Sequence, residues 1–120
     1  MSTTLNLRRV RRNLQAERVR LLERIAAETE GLSQPVDSTP EEGDRARLIE
    51  THELQSSLLA QTQQHFEQVE AALKRLSQGT YGLCAVCGQP INPERLSALP
   101  YVATCFNCQA QQENAPGGIR

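Results

Sequence analysis

Four cysteines, Cys84, Cys87, Cys105 and Cys108, form two C-x-x-C pairs separated by seventeen residues, and the chain contains no others. No other feature constrains the fold as strongly. The end of the chain that carries them has little hydrophobic mass and needs another source of folding free energy. Two short-spaced thiolate pairs supply the four soft ligands of a tetrahedral structural zinc site. With every position filled by protein, the metal keeps no open site for water or substrate, so it is expected to staple rather than catalyse. Two disulfides, or a redox-active C-x-x-C, are the competing reading of the same residues.

At 120 residues the chain holds one ordinary domain, or a helical element plus a small module. Its aromatics are Phe66, Phe106, Tyr81 and Tyr101, with no Trp. So few large side chains argue for helices packed through Leu, Ile and Ala instead of a deep core. No run approaches the roughly 20 apolar residues of a membrane span, so no membrane association is expected. The first 16 residues hold four arginines and no acid. They lack the apolar region of a secretory signal, and although they loosely resemble a mitochondrial presequence, Glu17 continues the same helical pattern without a break. A cytoplasmic, reducing location is therefore expected, which favours thiolate–metal bonds over disulfides.

Charge is distributed unevenly about a net of −1. Residues 1–27 carry seven arginines against two glutamates, whereas residues 28–53 carry eight acids against Arg45 and Arg47. That middle segment repels nucleic acid.

Helical periodicity runs from Leu5 to about Leu32. Leu7, Leu14 and Leu21 recur every seven residues, and Val10, Ile25 and Leu32 lie on the neighbouring stripe. Gly31 and the segment 33–40, with Pro35 and Pro40, mark a turn. A second helix is expected from Pro40 to about Gln78, with Thr39 as N-cap and Glu42 completing a capping box. Leu59, Thr62, Phe66, Val69, Leu73 and Leu76 form its heptad seam, and Gly79 supplies the stop. Two such helices joined by a short turn bury their stripes against each other. The expected fold is mainly α: an antiparallel helical hairpin over residues 1–78, with its acidic tip near 35–46. A four-cysteine module follows over 79–114, ending in a short helix over Gln109–Asn114, and then a frayed tail over 115–120. Gly88 directly follows Cys87, where a metal knuckle needs a left-handed residue. Ile91, Leu96, Leu99 and Val102 are placed to cover the metal loop.

Asp37, Glu41, Glu42 and Asp44 gather at the hairpin tip within eight residues. Such a tip reads either as a solvated, well-capped turn or as an acidic probe held away from its anchoring module. Carboxylates can share a hard cation such as Mg²⁺ with substrate phosphates, so a slender acidic finger could reach a metal-bearing site inside a larger enzyme. His52 and His65 lie thirteen apart and share no metal-binding face, which makes them surface or seam residues. No Ser/His/Asp set, Gly-rich phosphate loop or H-E-x-x-H occurs, so the chain is not expected to be an enzyme.

The residues Gly79-Thr80-Tyr81-Gly82-x-Cys84-x-x-Cys87-Gly88-x-x-Ile91, Arg95-Leu96-x-Ala98-x-Pro100 and Cys105-x-x-Cys108 resemble the DksA/TraR C4-type zinc finger over about thirty residues. The hairpin before them extends the resemblance to nearly the whole chain. It implies a bacterial regulator that binds RNA polymerase, without sequence-specific DNA contact, and inserts its hairpin into the secondary channel to alter open-complex lifetime. The family's tip motif D-x-x-D-x-A aligns with Glu41 to Ala46. Asp44 and Ala46 match it, and Glu41 replaces the first aspartate with a carboxylate one methylene longer. Members that respond to ppGpp carry basic residues where this chain has Gln61, Gln68 and Gln109, so a weak response or none is expected.

A zinc-stapled coiled coil serving another assembly, or dimerising, is the alternative from a different class. A third reading has Arg8, Arg9, Arg11 and Arg12 neutralising nucleic-acid phosphates, though no base-stacking aromatics accompany them. Transcript-cleavage factors share an acidic coil tip but lack this cysteine module.

Overall fold

Asn6 starts the first helix. Its side-chain Oδ1 accepts from the Arg9 backbone N–H at 3.1 Å, and its carbonyl accepts from Val10 at 3.0 Å. An Asn N-cap satisfies a donor that the helix itself leaves open. In the computed structural model, which describes residues 6–33 and 42–113, four helices follow in order. They are α1 (Leu7–Ser33), α2 (Glu42–Gln78), α3 (Pro93–Ala98) and α4 (Phe106–Glu113). Among the described residues there is no strand, only an isolated antiparallel bridge between Leu83 and Pro90. The capping box expected at Thr39 lies outside the described residues.

Two compact units make up the chain, Met1–Ala16 with Gln68–Arg120, and Glu17–Glu67. The first groups the start of α1 with the end of α2, and the second groups the remainder of each helix. That pairing is the antiparallel hairpin.

In the second unit, Leu21 and Thr62 are buried, and Thr62 returns its hydroxyl proton to the Leu58 carbonyl at 3.0 Å. The Arg18 guanidinium lies 5.4 Å from the Phe66 ring centroid, within cation–π range. Glu17 uses one oxygen to accept from Arg20 at 2.6 Å and places the other 3.9 Å from His65 Nε2. His65 is thus a seam residue, while His52 is exposed. From Asp44 to Leu58 every side chain of α2 is exposed, and its burial begins at Leu59.

In the first unit, Leu14, Val69, Ala72 and Leu76 are buried. Ala72, absent from the expected seam, is fully covered, whereas its larger neighbour Leu73 is only half-buried. Leu7 departs from expectation in the other direction. It is 51% exposed, because it is the first residue of α1 and the stripe is covered only from Val10 onward.

These two leucines give a stability contrast. Leu14→Ala should cost about 2–5 kcal/mol in the zinc-loaded chain, and Leu7→Ala no more than about 0.5 kcal/mol. Urea unfolding followed by far-UV circular dichroism measures both.

Candidate metal centre and the acidic helix start

The end of α2 sets the position of the metal loop. Gly79 takes φ +79°, its N–H reaches the Leu76 carbonyl at 3.4 Å, and the Thr80 N–H reaches the Arg75 carbonyl at 2.9 Å. This crossed pair of bonds is a Schellman stop, and it needs a residue without a Cβ penalty at positive φ. The chain then folds back on itself. Cys84 N–H bonds the Gln89 carbonyl at 2.8 Å, Gly88 N–H the Cys84 carbonyl at 2.9 Å, and Ile91 N–H the Gly82 carbonyl at 2.7 Å. Gly88, at φ +76°, makes the reversal behind Cys87 possible.

Asn92 caps α3 by accepting from the Glu94 N–H at 2.8 Å, with Pro93 at the first helical position. This short helix delivers Leu96 beneath the sulfurs. Cys84, Ile91, Leu96 and Cys108 form one buried cluster, with Tyr81, Val102 and Cys105 packed against it. The Ala85 N–H bonds the Ala103 carbonyl at 2.8 Å and joins the first cysteine pair to the segment entering the second. Cys108 then sits in the first turn of α4.

The four Sγ atoms all lie within 4.8 Å of one another, and Cys87 and Cys105 approach to 3.9 Å. Tetrahedral thiolate–zinc bonds of about 2.3 Å place neighbouring sulfurs about 3.8 Å apart, so the set fits the ion. A disulfide would require about 2.05 Å, and all four cysteines are free. Backbone N–H groups point at sulfur from Val86 to Cys84 and from Cys108 to Cys105, each at 3.4 Å. Such donors stabilise thiolate charge. Without metal, the Cys84 thiol is lowered to about 6, first by hydrogen bonding to the backbone of Cys87 and then to that of Cys105. Cys108 is pushed up to about 12, first by its hydrogen bond with the Cys105 sulfur and then by burial. The cluster thus holds one easily ionised sulfur and one that keeps its proton, an arrangement a divalent cation overrides.

Side chains from α2 and the adjoining turn tie this module to the hairpin base. Arg75 Nη2 donates to the carbonyls of Tyr101 at 3.5 Å and Val102 at 3.3 Å, and the Tyr81 hydroxyl donates to the Pro100 carbonyl at 2.9 Å. Burial lowers the Arg75 pKa and raises that of Tyr81. Arg95 Nε bonds the Thr104 carbonyl at 3.0 Å. Arg75 did not stand out in the sequence; its only signal was a cation in the last turn of a helix.

Gln68 and Gln109 come together in a cleft of about 380 Å³, which Arg75, Arg95, Tyr101 and Thr104 also line. The Gln109 amide is engaged at both ends, accepting from Thr104 Oγ1 at 3.0 Å and donating to Glu113 at 2.8 Å. Gln61 belongs to the other compact unit and is exposed. At the start of α2, Asp44 and Ala46 are exposed, while Glu41 lies outside the described residues.

Fold and cysteine set together define a helical hairpin carrying a four-cysteine zinc finger. Residues 79–114 match the family model of the prokaryotic dksA/traR C4-type zinc finger. An uncharacterized protein of Aquifex aeolicus is 27% identical, over 92% of this chain and 79% of its own. The RNA polymerase-binding transcription factor DksA of Haemophilus influenzae is 27% identical over 86% of this chain and 71% of its own. The solved structure of transcription factor DksA2 from Pseudomonas aeruginosa superposes with a TM-score of 0.74 and 29% identity, covering 92% of this chain and 84% of that one. Residues 79–114 are thus a zinc finger of the DksA/TraR C4 type, and its cofactor is one structural zinc ion.

Zinc loading must displace protons from the thiols that remain protonated at neutral pH, so affinity falls as pH falls. Between pH 7 and 6 the apparent zinc affinity should weaken at least about tenfold, measured by competition with a chromophoric chelator. Zinc removal at pH 7 should unfold residues 80–113, seen as loss of amide-exchange protection there.

Proposed function

We propose that this chain is a DksA-like transcription regulator that binds bacterial RNA polymerase and places the tip of its hairpin in the secondary channel. Cys84, Cys87, Cys105 and Cys108 hold the zinc in this reading. Residues 1–78 form the reaching hairpin and residues 79–114 the zinc-clamped base, followed by a tail over 115–120. Glu41, Asp44 and Ala46 act at the tip. The protein is cytoplasmic, has no catalytic activity of its own and makes no sequence-specific DNA contact.

The observation that carries the reading is the match to a transcription factor of this family over 92% of the chain, hairpin included. A likeness confined to the finger would leave the hairpin unexplained. The exposed carboxylate of Asp44 supports it too, being in the first turn of α2, where the helix dipole favours a negative charge. Among the described residues, no helix is long and apolar enough to cross a membrane.

Two measurements test the proposal. Asp44→Asn should remove most of the effect on open-complex lifetime in vitro while polymerase affinity stays within about threefold, since a rim charge contributes little to binding. A parallel loss of affinity and activity would deny the tip its separate role. In the same assay ppGpp should enhance the effect less than twofold, because Gln61, Gln68 and Gln109 carry no positive charge for its phosphates. A strong enhancement would contradict the assignment of those glutamines.

A further inference from the structure

The arginines at the start of α1 differ from those further along the same helix. Arg20 pairs with Glu17 at 2.6 Å and Arg24 with Glu28 at 3.2 Å. Arg8, Arg9, Arg11 and Arg12 are all exposed, and among the described residues none has an ion pair. Residues 1–5 contain no acid that could supply one.

Helix energetics opposes this placement. The first turn of α1 carries no acid, and cations near a helix N-terminus oppose the helix dipole. Arg8 with Arg11, Arg8 with Arg12 and Arg9 with Arg12 are like-charge pairs at three and four residues, and each adds repulsion. A sequence selected only for folding would avoid this cluster. A negatively charged partner would relieve it.

Geometry and residue choice narrow the partner. At about 100° per residue the four guanidinium groups spread over an arc of roughly 160°, centred opposite the stripe of Val10 and Leu14. They therefore face away from the helical seam. Twelve of the thirteen cationic side chains in the protein are arginine, Lys74 being the exception. Arginine's planar fork binds phosphate oxygens in pairs and keeps its charge at every physiological pH. The described residues of the first compact unit hold seven cations against Glu70, Glu94 and Glu113, so the local field attracts anions.

We propose that Arg8, Arg9, Arg11 and Arg12 form a sequence-independent contact for the phosphate backbone of B-form DNA. A helix about 10–12 Å across fits a major groove about 12 Å wide, with arginines on both flanks able to reach the two phosphate walls. Single strands are disfavoured because no aromatic side chain lies among these arginines to stack on bases. Duplex RNA is disfavoured because its major groove is too narrow for a helix.

The test uses the zinc-loaded full chain and labelled 20-base-pair duplexes of two unrelated sequences, read by fluorescence anisotropy. Both duplexes should bind equally. Affinity should drop about a hundredfold between 50 and 200 mM salt, a slope of about −3 to −4 on logarithmic axes for four phosphate contacts. The quadruple variant R8Q/R9Q/R11Q/R12Q should lose at least tenfold in affinity at 50 mM salt, flatten that slope, and melt no lower than the parent. No binding by the parent at 50 mM salt, or equal binding by the variant, overturns the proposal. So does equal affinity for single-stranded DNA or duplex RNA. A variant that loses affinity for RNA polymerase while duplex binding is unchanged overturns it in favour of an acidic protein surface. A lowered melting temperature assigns the arginines a structural role and overturns it as well. Because the duplex assay contains no polymerase, its failure leaves the reading of the hairpin tip untouched.

Discussion

Four thiolates crowded within 4.8 Å are mutually repulsive, and a divalent cation, helped by backbone N–H groups from Val86 and Cys108, compensates them. The rest of the module hangs on that clamp. Among the described residues, Ile91 and Leu96 are its only buried apolar side chains apart from the cysteines themselves. So small a core does not offset the conformational entropy of ordering a loop that runs from Cys84 to Cys108. Metal binding supplies the missing free energy, and the apolar cluster then decides which way the closed loop faces. The ion is a folding element, and its fully occupied coordination sphere is the reason it takes no part in chemistry.

The clamp matters to the hairpin because the connection between them is made of oriented hydrogen bonds. Arg75 and Tyr81 donate to three successive carbonyls, those of Pro100, Tyr101 and Val102, on the segment leading into the second cysteine pair. Carbonyl acceptors fix direction as well as distance, so the end of α2 and the finger hold a defined relation within their unit. The Schellman stop at Gly79 makes that relation possible by ending the helix abruptly. A helix running one more turn would carry Tyr81 away from its acceptor.

Much of this was legible in the residues. The stop at Gly79 and the reversal at Gly88 follow from glycine placed where only a positive φ closes the turn. The cysteine spacing announced the metal. What was not legible depended on register and on ends. Leu7 fits the heptad, but a stripe position on the first helical residue has nothing over it, and sequence periodicity carries no information about where coverage begins. The contact of Glu17 with His65, and of Arg18 with Phe66, depends on how two helices align across a turn. Each helix shows its own stripe and neither shows the offset between them. The Asn6 cap is hidden for a simpler reason: the apolar pattern begins one residue earlier, at Leu5.

Gln109 shows how a neutral side chain can serve the structure of a cleft without adding to its charge. Gln109 sits in the cleft with its carbonyl oxygen taken by Thr104 and its amide nitrogen by Glu113, so it has become part of the scaffold of α4. A longer cationic side chain at that position would have no use for the Thr104 hydroxyl as a donor and would turn its charge toward the cleft or to Glu113. The cations that line the cleft, Arg75 and Arg95, already spend donors on backbone carbonyls that hold the finger in place. Recruiting either to a polyanionic ligand would draw it away from the bonds that position the base of the hairpin. A cleft built this way keeps its cations for architecture, and the charge available to partners lies instead on the helices, acidic at Asp44 in the first turn of α2 and basic at Arg8 to Arg12 in α1.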